Sequence, residues 1–565
     1  MLKAGRFSLS FNYFVQSIDS KLHAMKKILI TSGLLLLASC KTADTVKQQP
    51  FTWEGSNVYF LLTDRFNNGD KSNDITLGRT EKSAVLRGFE GGDLRGIIQK
   101  IDDGYFTNLG INAIWMTPFL EQIHGATNEG TGNTYGFHGY WTKDWTELDP
   151  NFGTKADLRE LVEKAHAKGI RIVLDAVINH TGPVTPIDPV FPASWVRTSP
   201  QCAYNNYQNT TACTLVQNLP DILTESNAPV DLPPMLVEKW KKSGKYEAEM
   251  QSLDAFFART GYPRAPKYYI MKWLADYVEE FGIDGYRVDT VKHTNEDVWK
   301  EFQKVCQEAF DIYKTKNPTK VLDNNLFFTV GEVYGYGISQ KQDYNFGDRK
   351  VNYYQNGFKS LINFDFKGDA NKTYEEIFSS YSKMLQSDLN GKTVMNYLTS
   401  HDDGQPFDKE RRRTFEAGTK LLLAPGISQV YYGDETARSL IIEGAEGDAT
   451  LRSNMNWSDI QYKDSAKKLL EHYGKLGKFR AGHPAVGAGV HQMISSAPYW
   501  FTRTYNNDKV LIGLDLNEGS KTVSVNNFFA DGTRLRDAYS GKTAKVENGQ
   551  VTIDTGFQIV LFERY

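Results

Sequence analysis

From residue 58 to about 480 the chain alternates short apolar runs with amphipathic stretches of helical period, and this pattern limits its fold more than any other feature. The runs VYFLLTD (58–64), AIWMTP (113–118), RIVLDAVI (171–178), GYRVD (285–289), LFFTVGE (326–332), SLINFDF (360–366), TVMNYLTS (393–400) and ISQVYYG (427–433) read as strands of a parallel sheet. Helical patterns lie between most of them: LRGIIQKIDDGYFTNL, KADLRELVEKAHAK, YYIMKWLADYVEEF, EDVWKEFQKVCQEAF, YEEIFSSYSKML and FEAGTKLLLA. Eight strands with intervening helices over roughly 420 residues predict an α/β chain with a TIM (β/α)8 barrel, built from 56–180 and 267–484. Residues 181–266, rich in Pro, Asn and Thr and poor in periodicity, read as an inserted subdomain after the third strand. After about 485 the period becomes two, in VLIGLDL and QVTIDTGFQIVLFE, with turn signals NEGS, YSGK and ENGQ, so 485–565 is expected to be an all-β domain of sandwich type.

Composition narrows the class of function. With 65 basic against 68 acidic residues, the net charge is -3, and the chain lacks the excess positive charge that nucleic-acid binding uses. The compact basic run Lys409 to Arg413, interrupted by Glu410, reads as a solvated helix face. Aromatics reach 13%, which suits sugar stacking as well as core packing.

The N-terminus carries an address. Met25-Lys26-Lys27 precedes ILITSGLLLLAS (28–39), too short for a hydrocarbon core of about 30 Å and therefore a signal-peptide h-region. It ends in Leu37-Ala38-Ser39-Cys40, which resembles a bacterial lipobox, with Cys40 as the acylated residue. Residues 1–24 show no export logic, so Met25 is the expected start, 1–40 the extension plus signal, and 41–55 a linker. The protein is expected to be exported, either periplasmic or lipid-anchored to the cell envelope, with no membrane contact beyond that anchor. In an exported chain Cys202 and Cys213, eleven positions apart in a loop-rich stretch, are expected to form a disulfide. Cys306 reads as a buried thiol, and no Cys/His spacing suggests zinc.

In a barrel of this kind chemistry sits at the C-terminal ends of the strands. Asp289, Glu332 and Asp402 fall there, after the fourth, fifth and seventh strands. Three acids at one barrel mouth equip a site for glycoside hydrolysis, which needs a nucleophile, a proton donor and help for an oxocarbenium-like transition state. Arg287, two positions before Asp289, shares its face and favours an ionised carboxylate there. The apolar run before Glu332 predicts desolvation and a raised pKa, as a general acid requires.

These residues sit in motifs that resemble the α-amylase family of glycoside hydrolases, from about residue 56 to the C-terminus. The motifs are DAVINH (175–180), LPD (219–221), GYRVDTVKH (285–293), GEVY (331–334) and NYLTSHDD (396–403), flanked by INAIWMTP (111–118) and GISQVYYGDE (426–435). TDRFNNGD, GGDLRG, EQIHG, LPDILTES and NMNW are similar to exported bacterial α-amylases of the periplasmic type. The resemblance implies Asp289 as nucleophile, Glu332 as acid/base and Asp402 as transition-state stabiliser. It implies His180 and His401 on sugar hydroxyls, Tyr140 stacked on the sugar, and His138 and Trp141 lining the same subsite. Lys292 and His293 would meet the sugar beyond the scissile bond, as in enzymes that cut α-1,4 bonds. The resemblance further implies calcium at Asn179, Asp221 and the carbonyl of His293, and at a second set, Asn68, Asp70, Asn73 and Asp74 with the Gly91 carbonyl and Asp93, all oxygen ligands suited to that ion. A monomer acting on starch, glycogen or maltooligosaccharides is expected. Two other functions compete: a cyclodextrin-forming glucanotransferase, disfavoured because only about eighty residues follow the barrel, and a non-catalytic glycan-binding lipoprotein, disfavoured because all three acids are present.

Overall fold

All eight apolar runs form strands, and each strand stops short of the end of its run. The computed structural model describes residues 50–525 and 528–565, so the signal, Met25 and Cys40 lie outside the described residues. The strands are β1 (Asn57–Leu61), β2 (Ala113–Met116), β3 (Arg171–Ala176), β4 (Gly285–Val288), β5 (Phe328–Gly331), β6 (Ser360–Asn363), β7 (Thr393–Tyr397) and β8 (Ile427–Tyr431). They close a parallel barrel in chain order, β8 pairing with β1. Every residue in them is buried, because helices cover the outside and side chains fill the inside. Phe60 and Trp115 stack in this interior at 3.6 Å between centroids.

The described helices include α1 (Leu94–Asp102), α2 (Lys155–Ala167), α3 (Pro234–Ser243), α4 (Tyr246–Thr260), α5 (Pro266–Phe281), α6 (Glu296–Lys316), α7 (Tyr374–Gln386), α8 (Thr414–Leu423) and α9 (Asp464–Gly482). Capping boxes start α2 (Thr154 with Asp157) and α7 (Thr373 with Glu376), satisfying backbone donors that have no partner within the helix. The helical pattern at 94–109 is not one helix: Gly104, at φ 79°, breaks it before a short turn of helix at Tyr105–Asn108. The insertion is more ordered than its composition suggests, since it holds α3 and α4, each ended by a left-handed glycine, Gly244 and Gly261. Cys202 and Cys213 are joined there as a disulfide, and Cys306 is buried and free.

The C-terminal strands are β9 (Val490–Ser496), β10 (Tyr499–Tyr505), β11 (Asp508–Leu514), β12 (Gly519–Ser524), β13 (Arg534–Asp537), β14 (Thr543–Glu547), β15 (Gln550–Thr555) and β16 (Val560–Arg564). They form one antiparallel sheet in the order β9-β10-β11-β16-β13-β14-β15-β12. Trp500 on β10 and Val523 on β12, far apart in that order, share one core with Val551 and Phe562, so the sheet curls round its own apolar face. Among the described residues no helix is long and apolar enough to cross a membrane.

Candidate active site

The first residues past β4 and β5 are Asp289 and Glu332, and one guanidinium holds them together. Arg287 on β4 is buried; its Nη1 donates to Asp289 Oδ1 at 2.7 Å and to Asp175 Oδ1 at 3.0 Å, and its Nη2 lies 3.0 Å from Glu332 Oε2. The backbone N–H of Thr290 donates to the same Glu332 oxygen at 2.9 Å. Thr290 takes a left-handed φ of 49°, a costly conformation for a β-branched residue. Asp402, five residues past β7, stands at the rim with 36% of its side chain exposed, accepts a hydrogen bond from Ser400 at 3.0 Å, and lies 3.8 Å from His401 Nε2.

Environment pushes these acids apart. Burial raises Glu332 well above the usual carboxylate range, the charges of Asp289 and Asp402 add to the rise, and Arg287 opposes it. Burial also raises Asp289, with Arg287 pulling down and Asp175 pushing up. The sequence predicted only the pull of Arg287; the barrel interior adds a desolvation that it did not show. For Asp402 burial is outweighed by His401, Arg287, Arg452 and the Ser400 hydroxyl, which leave it lowered and ionised.

The histidines and aromatics named from the sequence gather beside the acids. Tyr140 donates its hydroxyl to Asp175 Oδ2 at 2.9 Å and stacks on His401 at 5.2 Å between centroids. The Tyr140 N–H donates to His138 Nδ1, and His180 Nε2 donates to the Tyr140 carbonyl. His180 Nδ1 is buried without a partner. Burial lowers His180 and His401 to about 4 and His138 well below its usual value, so all three are neutral at pH 7. Trp141 is buried edge-on to His138 at 4.7 Å. Lys292 donates to the Tyr334 carbonyl at 3.0 Å, beside the exposed Tyr334 ring. His293 turns the other way: its buried ring donates to the Thr210 carbonyl at 3.2 Å and so ties the turn after Asp289 to the insertion.

Asp175 is a functional residue that the sequence reading did not single out. It accepts from Trp115 Nε1 at 3.0 Å, from Tyr140 and from Arg287, so one buried carboxylate positions the guanidinium and the stacking ring. Its signal was the register of β3 and β4, which sets Asp175 beside Arg287. Arg452 was also missed; its Nε donates to the His401 carbonyl at 2.9 Å from a segment fifty-one residues away, with no local pattern to reveal it.

Among the described residues no three His, Cys, Asp or Glu side chains cluster as a metal site, and both calcium sets rely on amides and carbonyls. Asn68 Oδ1 and Asn73 Oδ1 are buried without partners. A Cβ on Gly91 would fall 2.6 Å from Asp74 Oδ1 and 2.4 Å from Asn68 Nδ2, so the chain passes this cluster as closely as only glycine permits. These four fit a hard cation. Asp93 is engaged by the amides of Gly69, Asp70 and Gly96, and Asp70 by Ser72, so those two carboxylates already have partners. In the other set Ile222 N donates to the Asn179 carbonyl, and an isolated bridge joins His180 to Asp221, strapping the insertion to the end of β3. Burial raises Asp221 to about 8 despite Arg197 at 2.7 Å, and Asn179 Nδ2 is buried and unpartnered. An amide flip keeps the Thr294 bond and frees an oxygen, so this set fits calcium as well.

Residues 60–475 match the α-amylase catalytic-domain family. The chain is 35% identical over 548 residues to the periplasmic α-amylase of Escherichia coli, covering 85% of this chain and 75% of that protein. It is 26% identical over 479 residues to the cyclomaltodextrin glucanotransferase of Geobacillus stearothermophilus, covering 82% of this chain and 60% of the relative. An Anoxybacillus α-amylase structure superposes with a TM-score of 0.62 at 25% identity, covering 91% of this chain and 99% of that one. With this match over most of its length, and with the barrel and its carboxylates described above, the chain belongs to the α-amylase family.

Proposed function

We propose that this enzyme hydrolyses internal α-1,4-glucosidic bonds of starch, glycogen or maltooligosaccharides with retention of configuration. One observation carries the reading: Arg287 bridges Asp289 and Glu332 while burial keeps a proton on Glu332. Arg287 and Thr290 both donate to Glu332 Oε2, which leaves Oε1 to carry that proton. Asp289 Oδ1 holds Arg287, and Oδ2 attacks the anomeric carbon. As that bond forms, Glu332 gives its proton to the glycosidic oxygen and the leaving chain departs as an alcohol. Glu332, now a carboxylate, takes a proton from water, and the water oxygen displaces Asp289. Two inversions restore the α configuration. Asp402, ionised at the rim, offsets positive charge developing on the ring. His138, His180 and His401 meet hydroxyls as neutral groups, adding no charge that would oppose an oxocarbenium ion. Tyr140 stacks on the same sugar; Lys292 reaches toward the sugar beyond the scissile bond, whereas His293, expected there from the resemblance, is turned to the Thr210 carbonyl and supports the turn instead.

Asn179, Asp221 and the His293 carbonyl would hold one calcium ion, and Asn68, Asn73, Asp74 and Gly91, with Asp70 and Asp93, another. Bound there, calcium supplies structural cross-links rather than a reacting group.

Proton NMR of the first product from maltoheptaose tests the reading, with an α-anomer and linear oligosaccharides expected. A β-anomer would sink the retaining mechanism, and cyclic products as the main early species would favour the transferase. Export, in line with the periplasmic α-amylase relative, and acylation at Cys40, which rests on the lipobox sequence alone, complete the proposal. Native protein should partition into detergent and Cys40→Ala protein should not; equal partitioning would refute the anchor.

A further inference from the structure

Aromatic side chains remain that the active site does not use. Phe415, in the first turn of α8, and Phe557, just before β16, are 47% and 41% exposed. Both line one cleft of about 780 Å³ between α7, α8 and the C-terminal sheet, together with Tyr374, Tyr539, Asp515 and Gln558. None of the proposed active-site residues lines it. The cleft is large enough for several sugar units, within the range of about 300 to 1,000 Å³ usual for ligand sites.

The two rings share a rigid floor. Phe415 packs on His472 at 5.0 Å between centroids, His472 on Tyr539 at 5.9 Å, and Tyr539 on Phe557 at 5.2 Å. His472 Nδ1 and the Tyr539 hydroxyl are hydrogen-bonded at 2.8 Å, and the Lys475 ammonium lies 4.7 Å from the Phe557 ring centroid. Two partly exposed rings are therefore held in place before any ligand arrives, which lowers the entropy lost on binding. Polar groups stand at the rim. Asp515 takes a left-handed φ of 53°, and Gln558 is exposed beside it in the lining. Sugars present alternating C–H faces and hydroxyl edges, and this pairing of aromatic plates with a carboxylate and an amide suits both.

The larger cleft on the other side of α9 lacks such rings. It holds about 910 Å³ between Lys467, Lys475 and Lys478 on one hand and Asp103 and Glu471 on the other, and its Tyr105 and Phe479 are half-buried and buried. Topology places the aromatic cleft usefully, because the loop that carries Asp402 runs directly into α8, whose first turn supplies Phe415.

We propose that the cleft between α8 and the C-terminal sheet is a second, non-catalytic α-glucan site, which holds a strand of the polymer whose other parts reach the barrel mouth. The proposal rests on the α-glucan reading above. The test uses the full chain with Phe415→Ala and Phe557→Ala combined. In a Glu332→Gln background, which spares the polymer, migration through gels containing soluble starch gives the dissociation constant. The double substitution should weaken starch binding by about tenfold or more, from the loss of two stacking contacts. With Glu332 intact it should raise KM on starch while leaving kcat/KM on maltotriose within about twofold, and Phe415→Trp with Phe557→Trp should restore starch binding. Unchanged retardation overturns the proposal. So does a parallel loss on maltotriose with a lower melting temperature, which would make the rings structural, or a change in oligomeric mass without a change in starch binding, which would make the cleft an interface between copies. A parent enzyme inert on soluble starch would count against the substrate reading instead.

Discussion

Arg287 shows how one buried residue sorts several roles. It shares a single positive charge among Asp175, Asp289 and Glu332, too little to keep all three ionised in a desolvated site. The proton settles on Glu332, which also feels Asp402 and follows the most apolar approach. This division predicts a specific intermediate. With maltosyl fluoride, whose fluoride leaves without a proton, Glu332→Gln should still form the glycosyl ester but hydrolyse it slowly. Mass spectrometry should find the adduct on Asp289. On starch the same variant should lose about 100- to 10,000-fold in kcat, the usual worth of a general acid. Asp289→Asn should form no adduct and melt near the parent. An adduct on another residue, or a Glu332→Gln enzyme near parental activity on starch, would end the assignment. Asp175→Asn should instead act through position, with Tyr140 and Arg287 losing their shared anchor.

At the scale of elements, the strands deliver residues and the loops after them decide how they meet. The insertion is tied to the end of β3 by the His180–Asp221 bridge and by Ile222 on Asn179, and to the turn after β4 by Thr210 on His293. These ties converge on the first candidate calcium set, beside His180. A site held at a thousand times its dissociation constant adds about 4 kcal/mol of stability. Asp221→Ala should therefore lower the melting temperature and remove one calcium per chain in metal analysis. Chelator should reproduce the effect, with calcium restoring it and magnesium doing so poorly because of its stricter octahedral geometry. If the variant keeps the parent's metal content and melting curve, no calcium is bound there. The Asn68 and Gly91 cluster, which shares no residue with these ties, should keep its own ion in Asp221→Ala.

Across the whole molecule, the barrel is joined to the C-terminal sheet through charge as well as through shared apolar surface. His483, just past α9, lies between Asp508 at 2.7 Å and Glu563 at 2.6 Å, on β11 and β16. Burial would lower it, but the two carboxylates win and raise it to about 9. Because the folded value exceeds the unfolded one, its stabilisation is complete below about pH 6.5 and fades as pH rises through about 9. His483→Gln should cost about 2 kcal/mol near pH 6, read as a lower melting temperature, and the gap to the parent should close toward pH 9. A gap that widens with pH would show that the histidine is neutral in the folded protein. The same division between local and long-range information runs through the whole chain. Short-range order, apolar runs of strand length and periodic helices, is written in neighbouring residues, so all eight barrel strands and the three acids beyond them were legible in the sequence. Asp175 and Arg452 were not, since their importance comes from partners 112 and 51 residues away. Nor was the rise in Asp289, because desolvation depends on what the barrel encloses. The sequence by itself determined which elements form and which acids stand at their ends, because backbone propensity and hydrophobic period act over a few residues. Only the tertiary structure decided which charges share a cavity, which aromatic rings stay open to solvent and how firmly each proton is held, because those depend on distance in space and on exclusion from water.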